Sequence, residues 1–187
     1  MPTQRCPLPG RHNQTNICAA LAVADMVGLE RSVALTAVEQ FTGLAHRLQT
    51  VATVDGLRYV DDSIATTPMA AAMALEAFAD QAVTLLAGGF DRGVSWAPLL
   101  RAMEGVTPHA VIALPDTGAR LLTEMIECGV APPGGAHLVP DLEQAVALAR
   151  DISQRPGVVL LSPGAASFNQ FRDFAARGAR FAELAGQ

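Results

Sequence analysis

The chain has 187 residues, half of them hydrophobic, and a net charge of −5 spread along its length, which leaves no basic face for nucleic acid and room for one substantial core. No apolar run is long enough to span a membrane and MPTQRCPLPG is no signal segment, so a cytoplasmic protein is expected. All thirteen basic residues are arginine, which rules out a GxxxxGK[ST] phosphate loop or a Schiff-base lysine in this chain, while Cys6, Cys18 and Cys128 lack CxxC spacing and predict free thiols with no metal site.

Met1 to Gly10 reads as a linker or a cut end. Apolar residues then recur at helical spacing from Asn13 to Met26, with Gly28 suited to a C-terminal cap, and again from Arg31 to Phe41. No strand separates these two helices. They cannot build a core unaided, so they either pack on the rest of the chain or belong with a neighbour not present.

From Leu48 the pattern changes. Val51–Val54, the Asp55-Gly56 turn and Leu57–Val60 read as a hairpin. Strand patterns follow at Val83–Leu86, Ala110–Leu114, His137–Val139 and Val158–Leu161. Helical patterns fall at Met69–Phe78, Ala97–Met103, Gly118–Cys128, Leu142–Ile152 and Asn169–Leu184. The alternation predicts an α/β fold, a Rossmann-like, mostly parallel sheet with helices on both faces.

Ligands of such sheets sit beyond the carboxyl ends of the strands. The segments that land there are Asp61-Asp62-Ser63 with Thr66-Thr67-Pro68, then Gly88 to Gly93, Pro115-Asp116, and Ser162 to Ser167. Among them Arg92 is expected to be the only basic residue, and a guanidinium suits a carboxylate or phosphate. The turn Ser162–Ser167, followed by a helix start, either aims free N–H groups at an anion or is an ordinary tight βα turn. Asp61 and Asp62 point to opposite faces of a strand and should not share a proton. Two roles stay open for them: one facing a ligand while the other caps a helix, or both serving as turn and capping residues. His46-Arg47 reads as a solvated corner. His12, His109 and His137 read as structural, Trp96 and Tyr59 as packing residues. Arg172, Arg177 and Arg180 are expected on the solvated face of the last helix.

Five segments, GRHNQTN, FTGLAHR, RYVDDSIATTP, LLAGGFDRG and LLSPGAASFNQFRDFAARG, resemble in order and spacing the C-terminal part of the muramyl (Mur) ligases, and most of all the branch that adds glutamate to UDP-N-acetylmuramoyl-L-alanine. The resemblance runs from about Gly10 to about Leu184. It implies that residues 1–43 correspond to the helical tail of a central ATPase domain and residues 44–187 to a glutamate-binding, Rossmann-like domain. Such ligases use ATP and Mg2+ to make an acyl phosphate, which the amine of the incoming amino acid attacks. The resemblance implies nucleotide binding by Asn16, Arg47 and Asp62, and glutamate binding by Thr66, Arg92, Ser167, Phe168 and Phe174. Arg92 stands where the family has a lysine. No metal ligand is assigned, and without an ATPase loop the chain is expected to bind no cofactor and to be inactive alone, as a truncated piece whose partners ATP and UDP-N-acetylmuramoyl-L-alanine need other domains.

The main departure is Ile64-Ala65-Thr66-Thr67, where enzymes that add D-glutamate read Lys-Ala-Thr-Asn. It is similar to a subgroup that adds L-glutamate, and a mirrored α-carbon would require a relocated charge. The alternative is a non-catalytic nucleotide-binding or interaction module; a dinucleotide sensor of that kind needs a GxGxxG fingerprint, which is absent.

Overall fold

The structure, a computed structural model, describes residues 8–168 and 170–187. Residues 1–7, with Cys6 and most of the expected linker, lie outside the described residues, as does Asn169, the expected start of the last helix. The chain divides into two compact units, one ending at Leu44 and the other Ala45–Gln187.

The first unit holds α1 (Arg11–Met26) and α2 (Arg31–Gln40). After α1, Gly28 takes φ 75°, and the N–H of Leu29 donates to the carbonyl of Ala24, closing the helix as a left-handed cap does. Val23, Met26, Val27, Leu29, Val33 and Phe41 are exposed.

The second unit begins with a hairpin, β1 (Gln49–Val54) and β2 (Leu57–Asp61), turned at Asp55 and Gly56, both with positive φ. Then come α3 (Pro68–Glu76), β3 (Val83–Gly89), α4 (Ala97–Gly105), β4 (Ala110–Asp116), α5 (Thr117–Glu127), β5 (Ala136–Leu138), α6 (Leu142–Ile152), β6 (Gly157–Leu161) and α7 (Phe174–Ala185). The six strands lie in the order β1-β2-β6-β3-β4-β5, with only the β1–β2 pair antiparallel. The mostly parallel sheet expected from the alternation is what forms.

Both faces of the sheet are covered, which explains why β6 is apolar without alternation. Val158 and Leu160 point to a cluster with Leu75 of α3, Leu99 and Met103 of α4 and Leu121 of α5. Val159 and Leu161 point the other way, to Val146 of α6 and Phe181 of α7. Trp96 and Tyr59 are each 1% exposed and pack one on either side. His109 and His137 bond through Nε2 to the carbonyls of Ile152 and Gly134, both at 3.0 Å.

One expected element starts elsewhere. Instead of continuing from the Ser162–Ser167 turn, α7 begins at Phe174, and the Asp173 carboxylate caps it by accepting from the N–H of Ala176 at 2.7 Å. A carboxylate thus occupies the positive end of α7, and that end is no free anion seat beside the turn.

Candidate functional site

The carboxyl ends of β2, β3 and β6 meet along one edge of the sheet. At β3 the chain must run hard against the β6 turn. The N–H of Gly88 donates to the carbonyl of Pro163 at 2.8 Å, and the N–H of Phe90 to that of Ala166 at 2.9 Å. Gly89 between them has φ 147°, and a Cβ there would collide with the Ala166 carbonyl oxygen. Only glycine permits so close an approach. The next loop presents Arg92, whose Nη2 donates to the carbonyl of Thr66 at 2.6 Å. The β2–α3, β3–α4 and β6–α7 connections are thereby tied together.

These connections border a cleft lined by Thr66, Phe90, Arg92, Trp96, Arg120 and Gly164, among others. Thr66 is half-buried and Arg92 exposed. Among the described residues Arg92 has no carboxylate partner, so its charge faces solvent. Ser167 is 2% exposed and sits in the β6–α7 turn, one residue from the Phe90–Ala166 bridge. Phe168 is 65% exposed, with its ring edge-on to Phe90 at 6.2 Å. Phe174 opens α7 and packs edge-on to His46 at 6.1 Å. Thr66, Arg92, Ser167, Phe168 and Phe174 therefore gather along one edge. Asn16 lies exposed on α1, in the first unit.

Arg47 is half-buried beside Asp62. Asp62, 4% exposed, accepts from the Ser162 hydroxyl at 2.7 Å and from the N–H of Leu48 at 3.3 Å. Burial lifts its carboxyl from 3.8 to about 7, against the opposing pull of those hydrogen bonds and of Arg47. Asp61, 1% exposed, takes different partners: His46 Nδ1 at 2.7 Å and the N–H of Ser63 at 2.9 Å. The two acids keep separate company, as their opposed directions require. Neither caps α3, whose N-cap is Thr67.

Three residues read differently from the sequence expectation. His46 is no free corner, since its Nδ1 is paired with the buried Asp61 carboxylate at 2.7 Å, which fixes the ring. Arg177 is 2% exposed rather than solvated. Its guanidinium donates to the Ser63 hydroxyl and carbonyl, both at 2.9 Å, and to the carbonyls of Ala165 and Ala166 at 3.1–3.3 Å. Burial lowers its proton affinity, to a pKa of about 10, so it stays charged at neutral pH. Arg120, on α5, lines the same cleft as Arg92, which is therefore not the only basic residue on the rim. Among the described residues no group of three or more His, Cys, Asp or Glu side chains converges to hold a metal ion.

The sequence pattern described as "Mur ligase, glutamate ligase domain" matches residues 46–165, the hairpin through the β6 turn that builds this edge. The chain belongs to the Mur ligase family. A UDP-N-acetylmuramoyl-L-alanine--L-glutamate ligase of Xanthomonas euvesicatoria pv. vesicatoria is 43% identical over 185 residues, covering 98% of this chain and 40% of that protein. One from a Micromonospora species is 44% identical over 181 residues, covering 95% and 39%. The chain thus spans about two fifths of the length of these curated relatives. Solved Mur ligases share the fold. MurC of Thermotoga maritima matches with a TM-score of 0.66 at 22% identity, over 94% of this chain and 38% of that one. MurF of the same organism, in complex with ADP, matches with a TM-score of 0.65 at 16% identity, over the same shares. No described helix is long and apolar enough to cross a membrane.

The Mur-type turn Ser162–Ser167 and the Arg-Gly pair near the end of the last motif act together here. Arg177 holds the carbonyls of that turn. The helix can come close enough to do so because position 178 has no side chain: a Cβ there would lie 2.5 Å from Asp61 Oδ2 and would strike His46 Nδ1. The Arg-Gly pair was in view in the sequence, but the buried carbonyls it serves were not.

Proposed function

We propose that the second unit is the amino-acid-binding domain of a ligase that adds L-glutamate to UDP-N-acetylmuramoyl-L-alanine with ATP, in the cytoplasm. The observation that carries this reading is the Arg92 guanidinium, without a carboxylate partner among the described residues and tethered to Thr66 in the cleft both line. One arm of the guanidinium is spent on the Thr66 carbonyl; the remaining donors suit one carboxylate of glutamate, and a fork of donors is better matched to it than an ammonium would be. Ser167 and Thr66 supply hydroxyls, and the Phe168 and Phe174 rings flank the methylene chain. Arg47 and Asp62 would meet the nucleotide. The first unit, with Asn16 as its own nucleotide-binding residue, we read as the tail of the central ATPase domain. This chain's own part is to hold the incoming amino acid while the acceptor carboxylate is activated elsewhere. Choice of the L-enantiomer is supported by Ile64, which removes a cation beside Thr66, and by the names of the relatives.

The reading is tested by titrating the isotope-labelled 187-residue chain with each glutamate enantiomer and following backbone amide shifts. An exposed, charge-assisted site predicts weak binding, with Kd on the order of millimolar. L-glutamate should move Thr66, Arg92, Ser167 and Phe174 more than D-glutamate does, and Arg92→Ala should abolish the effect. Shifts elsewhere, or none at saturating glutamate, would reject it.

A further inference from the structure

We infer that Arg120 is a positioning residue for the carboxylate-binding edge: by holding Asp91, it keeps the adjacent Arg92 guanidinium free of an internal counter-ion. The inference rests on the proposed role of Arg92 in holding glutamate. Asp91 and Arg92 are consecutive in an exposed loop, and an acid beside a base would ordinarily neutralise it or repel an incoming anion. Here the charges are sorted. Asp91 Oδ1 accepts from Arg120 Nη2 at 3.2 Å and from the N–H of Gly93 at 2.7 Å. Arg120 is itself fixed from two directions. Both of its terminal nitrogens donate to the Val94 carbonyl at 3.2 Å, and Nη1 pairs with Glu124 Oε1, one turn along α5, also at 3.2 Å. Two carboxylates and a loop carbonyl thus converge on Arg120. Among the described residues Arg92, bordering the same cleft, is bound only to the Thr66 carbonyl.

These ion pairs, exposed at Asp91 and partly buried at Glu124, add little to stability. Their effect lies in which cation is left on offer. With Arg120 in place, a dicarboxylate meets a guanidinium with unused donors. Without it, Asp91 can turn to its neighbour, and the ligand must displace a carboxylate already there. The arrangement makes Asp91 and Arg120 a matched pair: losing the cation alone should harm the edge, and losing both should not.

The test needs no bound ligand. Arg92 in the 187-residue chain is labelled with the arginine-selective reagent phenylglyoxal, and its rate is read by peptide mass spectrometry against exposed Arg31 as an internal reference. In Arg120→Met, which keeps the apolar stem, labelling of Arg92 should slow about fivefold, the size an exposed charge pair supports. Adding Asp91→Asn should restore the rate to within about twofold of the wild type, and Arg120→Lys alone should keep it there. A purely structural staple predicts the opposite, a loosened loop and faster labelling in Arg120→Met. An unchanged or faster rate there, or a double variant that stays slow, would overturn the inference. Protection of Arg92 by L-glutamate in the wild type is read separately. If protection fails while the rate pattern holds, it is the glutamate assignment that falls.

Discussion

Asp62 carries a consequence that can be read in solution. In the unfolded chain its carboxyl ionises near 3.8, whereas in the folded protein burial delays this to about 7. Between those values the folded state keeps a proton the unfolded state has lost. The stabilising contribution is therefore complete below about pH 4, shrinks as pH rises, and is gone above about pH 7. The shift corresponds to roughly 4 kcal/mol at most. Asp62→Asn cannot ionise, and its amide can still bond Ser162 and Leu48. Urea unfolding from pH 4 to pH 8 should find the variant level with the wild type at the acid end and more stable at the alkaline end. A constant difference across the series would remove Asp62 as the source. The same scale shows where sequence reading falls short. Asp61 and Asp62 were separable from strand geometry alone, but Arg177 was not recognisable as buried. Its partner Ser63 lies 114 residues away, and nothing in the local pattern of α7 announces it.

At the scale of elements, α7 is held where it is by a missing side chain. Gly178 lets the helix rest on the His46–Asp61 pair, while Arg177 beside it reaches the carbonyls of residues 63, 165 and 166. Gly178→Ala gains helix propensity, worth about 1 kcal/mol, but sets a methyl group against two polar atoms already bonded to each other. We expect a net loss of about 1–3 kcal/mol, measured as a lower urea midpoint. A downfield His46 Nδ1 proton signal from the bond to Asp61 should vanish as well. A variant as stable as the wild type with that signal intact would show that the helix has slack. Most elements were legible from periodicity because β3, β4 and β6 are apolar and α4 to α7 amphipathic. The exception is the start of α7. The spacing of Phe171, Phe174 and Phe181 looks helical throughout, yet Asp173 caps the helix at Phe174, and the preceding segment turns to bring Phe171 onto the sheet.

For the whole molecule, the sheet order sets the order of opening. β3 and β6 are interior strands paired on both sides, with β6 between β2 and β3. β5 is three residues long at one edge, and β1 forms the other edge with mostly exposed or half-buried side chains. Hydrogen exchange should find the amides of Leu85, Leu86, Val159 and Leu160 the slowest, and those of β1 and β5 faster by orders of magnitude. Uniform protection across the sheet would contradict this. The proposed binding edge is built on the slow strands while its loops lie beyond them, so firm anchorage and adjustable side chains coexist. That division was visible in outline from strand alternation. Which strands lie next to one another was not, because adjacency depends on crossovers that periodicity does not encode.

The place of β6 also bears on how the molecule is made. A ribosome delivers the chain from its N-terminus, so the hairpin and the β3-β4-β5 group emerge with a gap between them that only Gly157–Leu161 fills. Until that segment arrives, β2 and β3 each expose an unpaired margin of backbone, open to the wrong partner. The nascent polypeptide is thus most vulnerable until Gly157–Leu161 has emerged. The stretch that relieves the hazard leads directly into the turn that completes the proposed binding edge.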